Sequence, residues 1–441
     1  MKRILISVFL LLSITLTHAQ NVIMQRIILI GDAGELDQQQ NAVLSSAAAQ
    51  IIKNKSTVFY LGDNIYPVGM GLPGSPDEES TKKILQAQYK PMRAAGAPVY
   101  FIPGNHDWDR MGPKGLAKVK RQWEFLTEQK DSLLKAVPKD GCPDPTAINL
   151  GPDVTVIAFD SEWWLHIYNK DNPNADCDCN SNEEIINRFE ELLYNNRNKV
   201  IILADHHPFK TYGHHGGSYI WQDYVFPLTS VNRHLYIPLP VIGALYPFLR
   251  KNFDNPEDNG HPLYKTMISQ IENVFKGDPN VIYASGHEHG LQFIKDDDRI
   301  QVVSGSGAKR AAVKKGNDAL YAESVPGYVT IDIMDDKSAK FTYYASKTDS
   351  NLIQVFTYTK PFVPIIIPVP KIYSAIKGDS VKVQAYGKYD SVGRVHRWLY
   401  GENYRKEWAA TATVPVIRIS DFKGGLTPVR FGGAHQTQSL L

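Results

Sequence analysis

Five short segments of this 441-residue chain each end an apolar run with oxygen or nitrogen donors: RIILIGDAG, TVFYLGDNIYP, VYFIPGNHD, KVIILADHHP and NVIYASGHEHG. They carry Asp32, Asp63, Tyr66, Asn105, His106, His206, His287 and His289, whose carboxylates, phenol, amide and imidazoles suit hard or borderline metal ions. A single Gly-Asp pair is ordinarily a turn or a helix cap. Five donor clusters in succession, each behind a strand-like run, would instead line one edge of a layered sheet. There, two cations could share a bridging carboxylate, an arrangement that no packing argument requires.

The elements that must position these donors are readable around them. The five apolar runs are rich in β-branched residues and read as buried strands feeding polar loops. Residues 37–53, 80–95 and 183–195 space their apolar side chains near the 3.6-residue period of a helix. Further strand-like runs follow at 154–160, 300–304, 327–334 and 340–345, and no internal repeat is visible. Alternating strands and helices imply a layered α/β architecture with function carried on loops at strand ends.

Composition bounds the rest. With 43% hydrophobic and 11% aromatic residues the chain can bury a full core, which excludes disordered, collagenous and small disulfide-scaffold classes. A net charge of +2, from 48 basic and 46 acidic residues, argues against a stable nucleic-acid partner. The charge is uneven: residues 371–441 hold 11 basic and 5 acidic side chains, whereas residues 20–370 hold 35 and 41. Residues 1–19 have the pattern of an export signal, with Lys2 and Arg3, an apolar run from Ile4 to Leu16, and Ala19 at the cleavage position. That run is too short to span a bilayer, so the expected location is exported: periplasm, cell envelope or secreted. Export permits one disulfide, from Cys142 to either Cys177 or Cys179, with one thiol left over. The stretch PFVPIIIPVP, residues 361–370, cannot form a central strand or helix and reads as a stiff linker closing a domain over 20–360. Residues 371–441 then form a basic, β-containing tail that ends as though incomplete.

The clusters resemble those of the calcineurin-like metallophosphoesterases, and within them the purple acid phosphatases of the tartrate-resistant type. The motifs are Gly31-Asp32, Gly62-Asp63, Gly104-Asn105-His106, His206 and Gly286-His287-Glu288-His289, spread over roughly residues 25–310. Most family members carry a His two residues after the first Asp, where this chain has Gly34; the purple acid phosphatases lack that His and place a Tyr three residues after the second Asp, as Tyr66 is here. The resemblance implies a four-layer α/β/β/α sandwich with two metal ions. Asp32, Asp63, Tyr66 and His289 would hold the first, Asp63, Asn105, His206 and His287 the second, and Asp63 would bridge. A phenolate ligand favours iron(III) at the first site, with iron(II), zinc or manganese at the second. His206 fits the family ligand because it lies two residues before Pro208, leaving His207 a supporting role.

The implied activity is hydrolysis of phosphate monoesters by a metal-activated hydroxide, with His106 and His215 as the catalytic histidines and His214 as the alternative if the loop Tyr212–Gly217 shifts register. A phosphodiesterase or nucleotidase could use the same ligands. In another reading the tail starts, or docks onto, an outer-membrane β-barrel and the body is a surface module, although the tail lacks the strand alternation of a barrel. Asp107 and Asp205 read as hydrogen-bonding loop residues, Trp163 and Trp164 as core, and LYIPLPVIGALYPFL (235–249) as an insertion packed on the domain.

Overall fold

The computed structural model describes residues 22–168, 170, 175–226, 228, 235–239, 255–297, 299–346, 351–364 and four short strands in the tail. The signal segment, most of the 235–249 insertion, residues 365–370 and all but those strands of the tail lie outside the described residues. Two seven-stranded sheets form the body. The first runs in the order β14-β13-β12-β1-β2-β3-β4 and the second β11-β9-β10-β8-β7-β6-β5. Here β1 is Ile23–Ile30, β2 Ser56–Leu61, β3 Val99–Ile102, β4 Leu134–Ala136, β5 Thr146–Asn149, β6 Val154–Ala158 and β7 Val200–Ala204. The remaining strands are β8 Val281–Ser285, β9 Leu291–Asp296, β10 Arg299–Ser304, β11 Ala319–Glu323, β12 Gly327–Met334, β13 Ala339–Ala345 and β14 Ile353–Lys360.

Period-two alternation sorts the side chains into three layers of core. Along β1, Ile27 and Leu29 enter the core between the sheets, while Ile28 and Ile30 face the opposite way. Val156 and Ile202 join the inter-sheet core from the second sheet. Ile28, Ile30, Val58 and Tyr60 pack with Val43, Leu44, Leu85, Met92 and Phe125 of the helices Gln38–Ala49, Glu78–Ala94 and Gly115–Glu128. On the outer face of the second sheet, Ile157, Ile201 and Leu203 meet Phe189 and Ile271 of the helices Asn182–Asn196 and Pro262–Phe275. The order of layers is therefore α/β/β/α. Trp163 and Trp164 belong to that last core rather than to a pocket.

β1, β2 and β3 are adjacent and parallel, as are β7 and β8, so their carboxyl ends gather at one end of the sandwich. This is where loops of a parallel sheet converge on ligands. Cys142 is bonded to Cys177, and Cys179 is a buried free thiol. The helices Gly115–Glu128 and Pro262–Phe275 and the edge strand β14 are elements that the sequence reading does not single out. Within the tail the described strands form two short antiparallel pairs, Ser380–Lys382 with Val416–Arg418 and Val429–Arg430 with Thr437–Gln438. No helix among the described residues is long and apolar enough to cross a membrane. Of the insertion, Leu235, Tyr236 and Ile237 are exposed.

Leu29 is fully buried between the sheets directly upstream of Asp32. Leu29→Ala should lower unfolding free energy by about 2–5 kcal/mol. A urea unfolding midpoint unchanged from that of the parent would contradict this placement.

Candidate metal centre

Each donor leaves its strand through a backbone that its sequence makes possible. Asp32, Asp63 and His287 all adopt left-handed conformations, with φ of 55°, 52° and 66°. This costs an L-residue on the order of 1–2 kcal/mol each and is typical of positions held by function. The glycines before them serve close approach. A Cβ at Gly62 would overlap the His206 ring, and one at Gly104 would overlap the Asp63 amide and carboxylate. At Gly34 any side chain would run into the backbone of Asp63, Asn64 and Ile65, so a histidine has no room there; Tyr66 reaches in instead, its amide donating to the Gly34 carbonyl at 2.9 Å.

Asp107 fastens the second and third loops together. Its Oδ2 accepts from the amides of Gly104 at 2.8 Å and Asn64 at 3.1 Å and from Asn64 Nδ2 at 3.0 Å. Burial raises its pKa well above the ordinary carboxylate range. The two sheets are tied across the site as well. The His287 amide donates to Asp32 Oδ2 at 2.9 Å, and the Gly31 amide to the Ser304 carbonyl at 2.7 Å.

Carbonyl groups set the histidine tautomers, because a carbonyl only accepts and the facing ring nitrogen must therefore carry the proton. His206 Nδ1 lies 2.7 Å from Leu61 O, His106 Nδ1 2.6 Å from Pro67 O, and His287 Nε2 3.1 Å from Glu257 O. The opposite nitrogens of His206 and His287 are then bare lone pairs, and they face each other at 3.2 Å. Asn105 Oδ1 is 3.0 Å from His206 Nε2, and Asp63 Oδ1 is 3.4 Å from it. On the other side of Asp63, the Tyr66 hydroxyl is 3.0 Å from both Asp32 Oδ1 and Asp63 Oδ2 and 3.2 Å from His289 Nε2. One phenolic proton cannot serve both carboxylate oxygens. Both half-sites thus gather lone pairs with too few donors between them, the condition that a cation relieves. Asp32, Asp63 and His206 offer ligand atoms within 4.8 Å of one another, as do His206, His207 and His287, so this donor set fits cations on both sides of His206.

The electrostatics agree with that fit. Burial drives the Asp32 carboxyl well above its usual range. Burial pushes Asp63 the same way, but His106, His206 and the His106 amide outweigh it and hold its pKa below the ordinary value. Burial lowers His106, takes His287 well below the usual imidazole range and brings His289 down to about 4.

The two histidines read from sequence as catalytic flank the ligands. His106 Nε2 is 3.8 Å from Asp63 Oδ2, and the His106 ring meets the Tyr66 ring edge-on with centroids 4.5 Å apart. The His215 ring lies 3.8 Å, centroid to centroid, from that of His287. His214 instead stacks on Tyr219. Two glycines of this loop permit close approach: a Cβ at Gly213 would strike Glu288, whose Oε1 accepts from the Gly216 amide at 3.1 Å, and one at Gly216 would strike Thr211. His207 sits behind the ligands, its Nδ1 2.9 Å from Ser161 Oγ and its Nε2 3.5 Å from the buried Glu162. Asp205 is buried and accepts from Ser285 Oγ at 2.9 Å. Sequence spacing gives no signal for Glu162, Glu257 or Asp258; only the fold brings them to the site.

The sequence matches the calcineurin-like phosphoesterase family over residues 25–291, more than half of the chain. The chain belongs to that family. It is a metal-dependent phosphoric ester hydrolase of a class that implies a binuclear centre and phosphate-ester substrates. No protein of curated function matches the sequence. Similar solved structures include GAP50, the anchor in the inner membrane complex of Plasmodium, at 14% identity and a TM-score of 0.48, covering 78% of this chain and 90% of that one. The purple acid phosphatase PPD1 from yellow lupin seeds matches at 13% identity and a TM-score of 0.46, covering 76% of this chain and 53% of the lupin protein. PhoD matches at 16% identity and a TM-score of 0.46, covering 77% and 70% respectively.

Two predictions follow from the geometry. Gly104→Ala should reduce bound metal per chain, read by elemental analysis, while the far-ultraviolet circular dichroism of the sandwich stays intact; full metal loading would show that the glycine is not needed for close approach. A depressed imidazole pKa keeps the neutral, ligating form down to about 4, so metal loading after dialysis at pH 5 should match that at pH 7. An ordinary surface imidazole would already be mostly protonated there, so loss of the first-site ion at pH 5 would contradict the role given to His289.

Proposed function

We propose that the protein is an exported phosphatase that hydrolyses phosphate monoesters at a purple-acid-phosphatase-like centre. What supports this reading is the convergence of seven candidate donors on both sides of Asp63, with the Tyr66 hydroxyl 3.0 Å from both Asp32 and Asp63. When bound, the two metal ions would supply positive charge for the phosphate oxygens and lower the pKa of water. Iron(III) suits the phenolate half-site, and iron(II), zinc or manganese the imidazole and amide half-site.

The chain's own residues do the remaining work. The carbonyl of Pro67 holds the His106 proton on Nδ1 and turns Nε2 toward the site, where it can meet a phosphate oxygen or the departing alkoxide. His215 stands beside His287, whereas His106 stands against Tyr66. The Asp107 clamp on the loops after β2 and β3 keeps Asp63, Asn105 and His106 in register. Export is supported by the charged, apolar and small-residue pattern of residues 1–19 and by the Cys142–Cys177 disulfide, a bond suited to oxidising compartments.

The test compares p-nitrophenyl phosphate with its bis ester, using the mature chain loaded with iron, zinc or manganese. Monoester turnover should exceed diester turnover, and Asp63→Asn should lower it by at least about a hundredfold without unfolding the chain. Preference for the bis ester would replace the monoesterase reading with a diesterase, and absence of turnover on both would remove the hydrolase reading. Mass spectrometry of protein from the envelope or medium should find an N-terminus at Gln20; a chain retaining Met1 would contradict export.

A further inference from the structure

The segment leading into the helix Pro262–Phe275 touches the second half-site with three consecutive residues. The Glu257 carbonyl accepts from His287 Nε2 at 3.1 Å. Asp258 Oδ1 lies 2.8 Å from His215 Nδ1. The Asn259 amide donates to the His215 carbonyl at 3.0 Å, and its side-chain Nδ2 donates to the Pro208 carbonyl at 3.0 Å, two residues beyond His206. One short stretch thereby holds a ligand ring, the ring and backbone of the neighbouring histidine, and the turn after another ligand.

Asp258 differs from its two neighbours in what it fixes. Glu257 and Asn259 act through a backbone carbonyl, a backbone amide and a side-chain amide, which suffice to fasten the segment. Asp258 adds a charge-assisted hydrogen bond whose two partners are both largely shielded from solvent, 21% exposed for the His215 side chain and 14% for that of Asp258. An ionised carboxylate only accepts, so this bond places a proton on His215 Nδ1 and fixes the plane of the ring.

We propose that Asp258 is a positioning residue for the hydrolytic reaction, fixing the ring orientation and tautomer of His215 beside the ligands of the second metal. This rests on the hydrolase reading above. The experiment compares the parent with Asp258→Asn, His215→Ala and the double variant, using p-nitrophenyl phosphate and metal-loaded full chain. Asp258→Asn should lower kcat about tenfold or more, with KM within about twofold of the parent. Metal content and melting temperature should stay unchanged. In the His215→Ala background the same substitution should have no further effect, because residues acting as one unit are not additive. An additive loss in the double variant, an unchanged kcat, or a loss that tracks metal content would overturn the proposal. Nitrogen-15 spectra of the histidine rings give a reading independent of turnover. His215 should be protonated on Nδ1 in the parent and lose that preference in Asp258→Asn; the same tautomer in both would overturn the proposal. A parent that hydrolyses no phosphate ester but shows this tautomer change would place the failure in the hydrolase reading and not in the Asp258–His215 pair.

Discussion

The structure turns on repulsion between lone pairs that the fold forces together. The carbonyls of Leu61 and Glu257 each accept a hydrogen bond from one ring nitrogen of a histidine, and the opposite nitrogens of His206 and His287 are left 3.2 Å apart in a buried interior. Desolvated acceptors without a donor between them destabilise a folded state, and the cost grows as the local dielectric falls. Cations reverse the sign of that interaction. The metal centre is therefore more than an addition to the sandwich, since its candidate ligands come from both sheets and a cation between them relieves their mutual repulsion.

Everything that approaches the centre is arranged to permit that crowding. The inter-sheet core brings the carboxyl ends of β1, β2, β3, β7 and β8 together, and the glycines at positions 62 and 104 remove the atoms that would keep the loops apart. Three ligands in left-handed backbone conformations show that the loops are held in geometries they would not choose alone. The hydrogen bonds of Asp107 to the loops after β2 and β3, and of Asp32 to the His287 amide, offset part of that strain. The histidines that would handle substrate are tethered by the same means, His106 by a carbonyl and His215 by a carboxylate.

How much of this was legible in the sequence follows from where the signal resides. Each ligand directly follows an apolar, β-branched run, and side-chain chemistry at a strand end is written in the residue type. The same holds for the pairing of Gly34 with Tyr66, where one residue type is absent and another present at fixed spacings from the two aspartates. The tethers are different. A carbonyl such as that of Leu61, Pro67 or Glu257 belongs to any residue and leaves no mark in the sequence, and Asp258 lies 43 residues beyond His215 across an insertion with no periodic signal. Glu288 is visible as the variable position of a GHxH motif, yet only the fold shows that it abuts Gly213. The helix Gly115–Glu128 carries Val119, Phe125 and Leu126 on its buried face, but Lys118 and Arg121 are also buried there and blur the amphipathic pattern. β14 reads poorly for the opposite reason, because an edge strand with exposed Ile353 and Val355 lacks the inside-outside contrast that marks the inner strands.

The most direct measurement is anomalous diffraction from crystals of the metal-loaded chain, collected at the absorption edges of the metals supplied. Two peaks are expected, one among Asp32, Asp63, Tyr66 and His289 and the other among Asp63, Asn105, His206 and His287, with Asp63 contacting both. A single peak, or two peaks that share no ligand, would contradict the account.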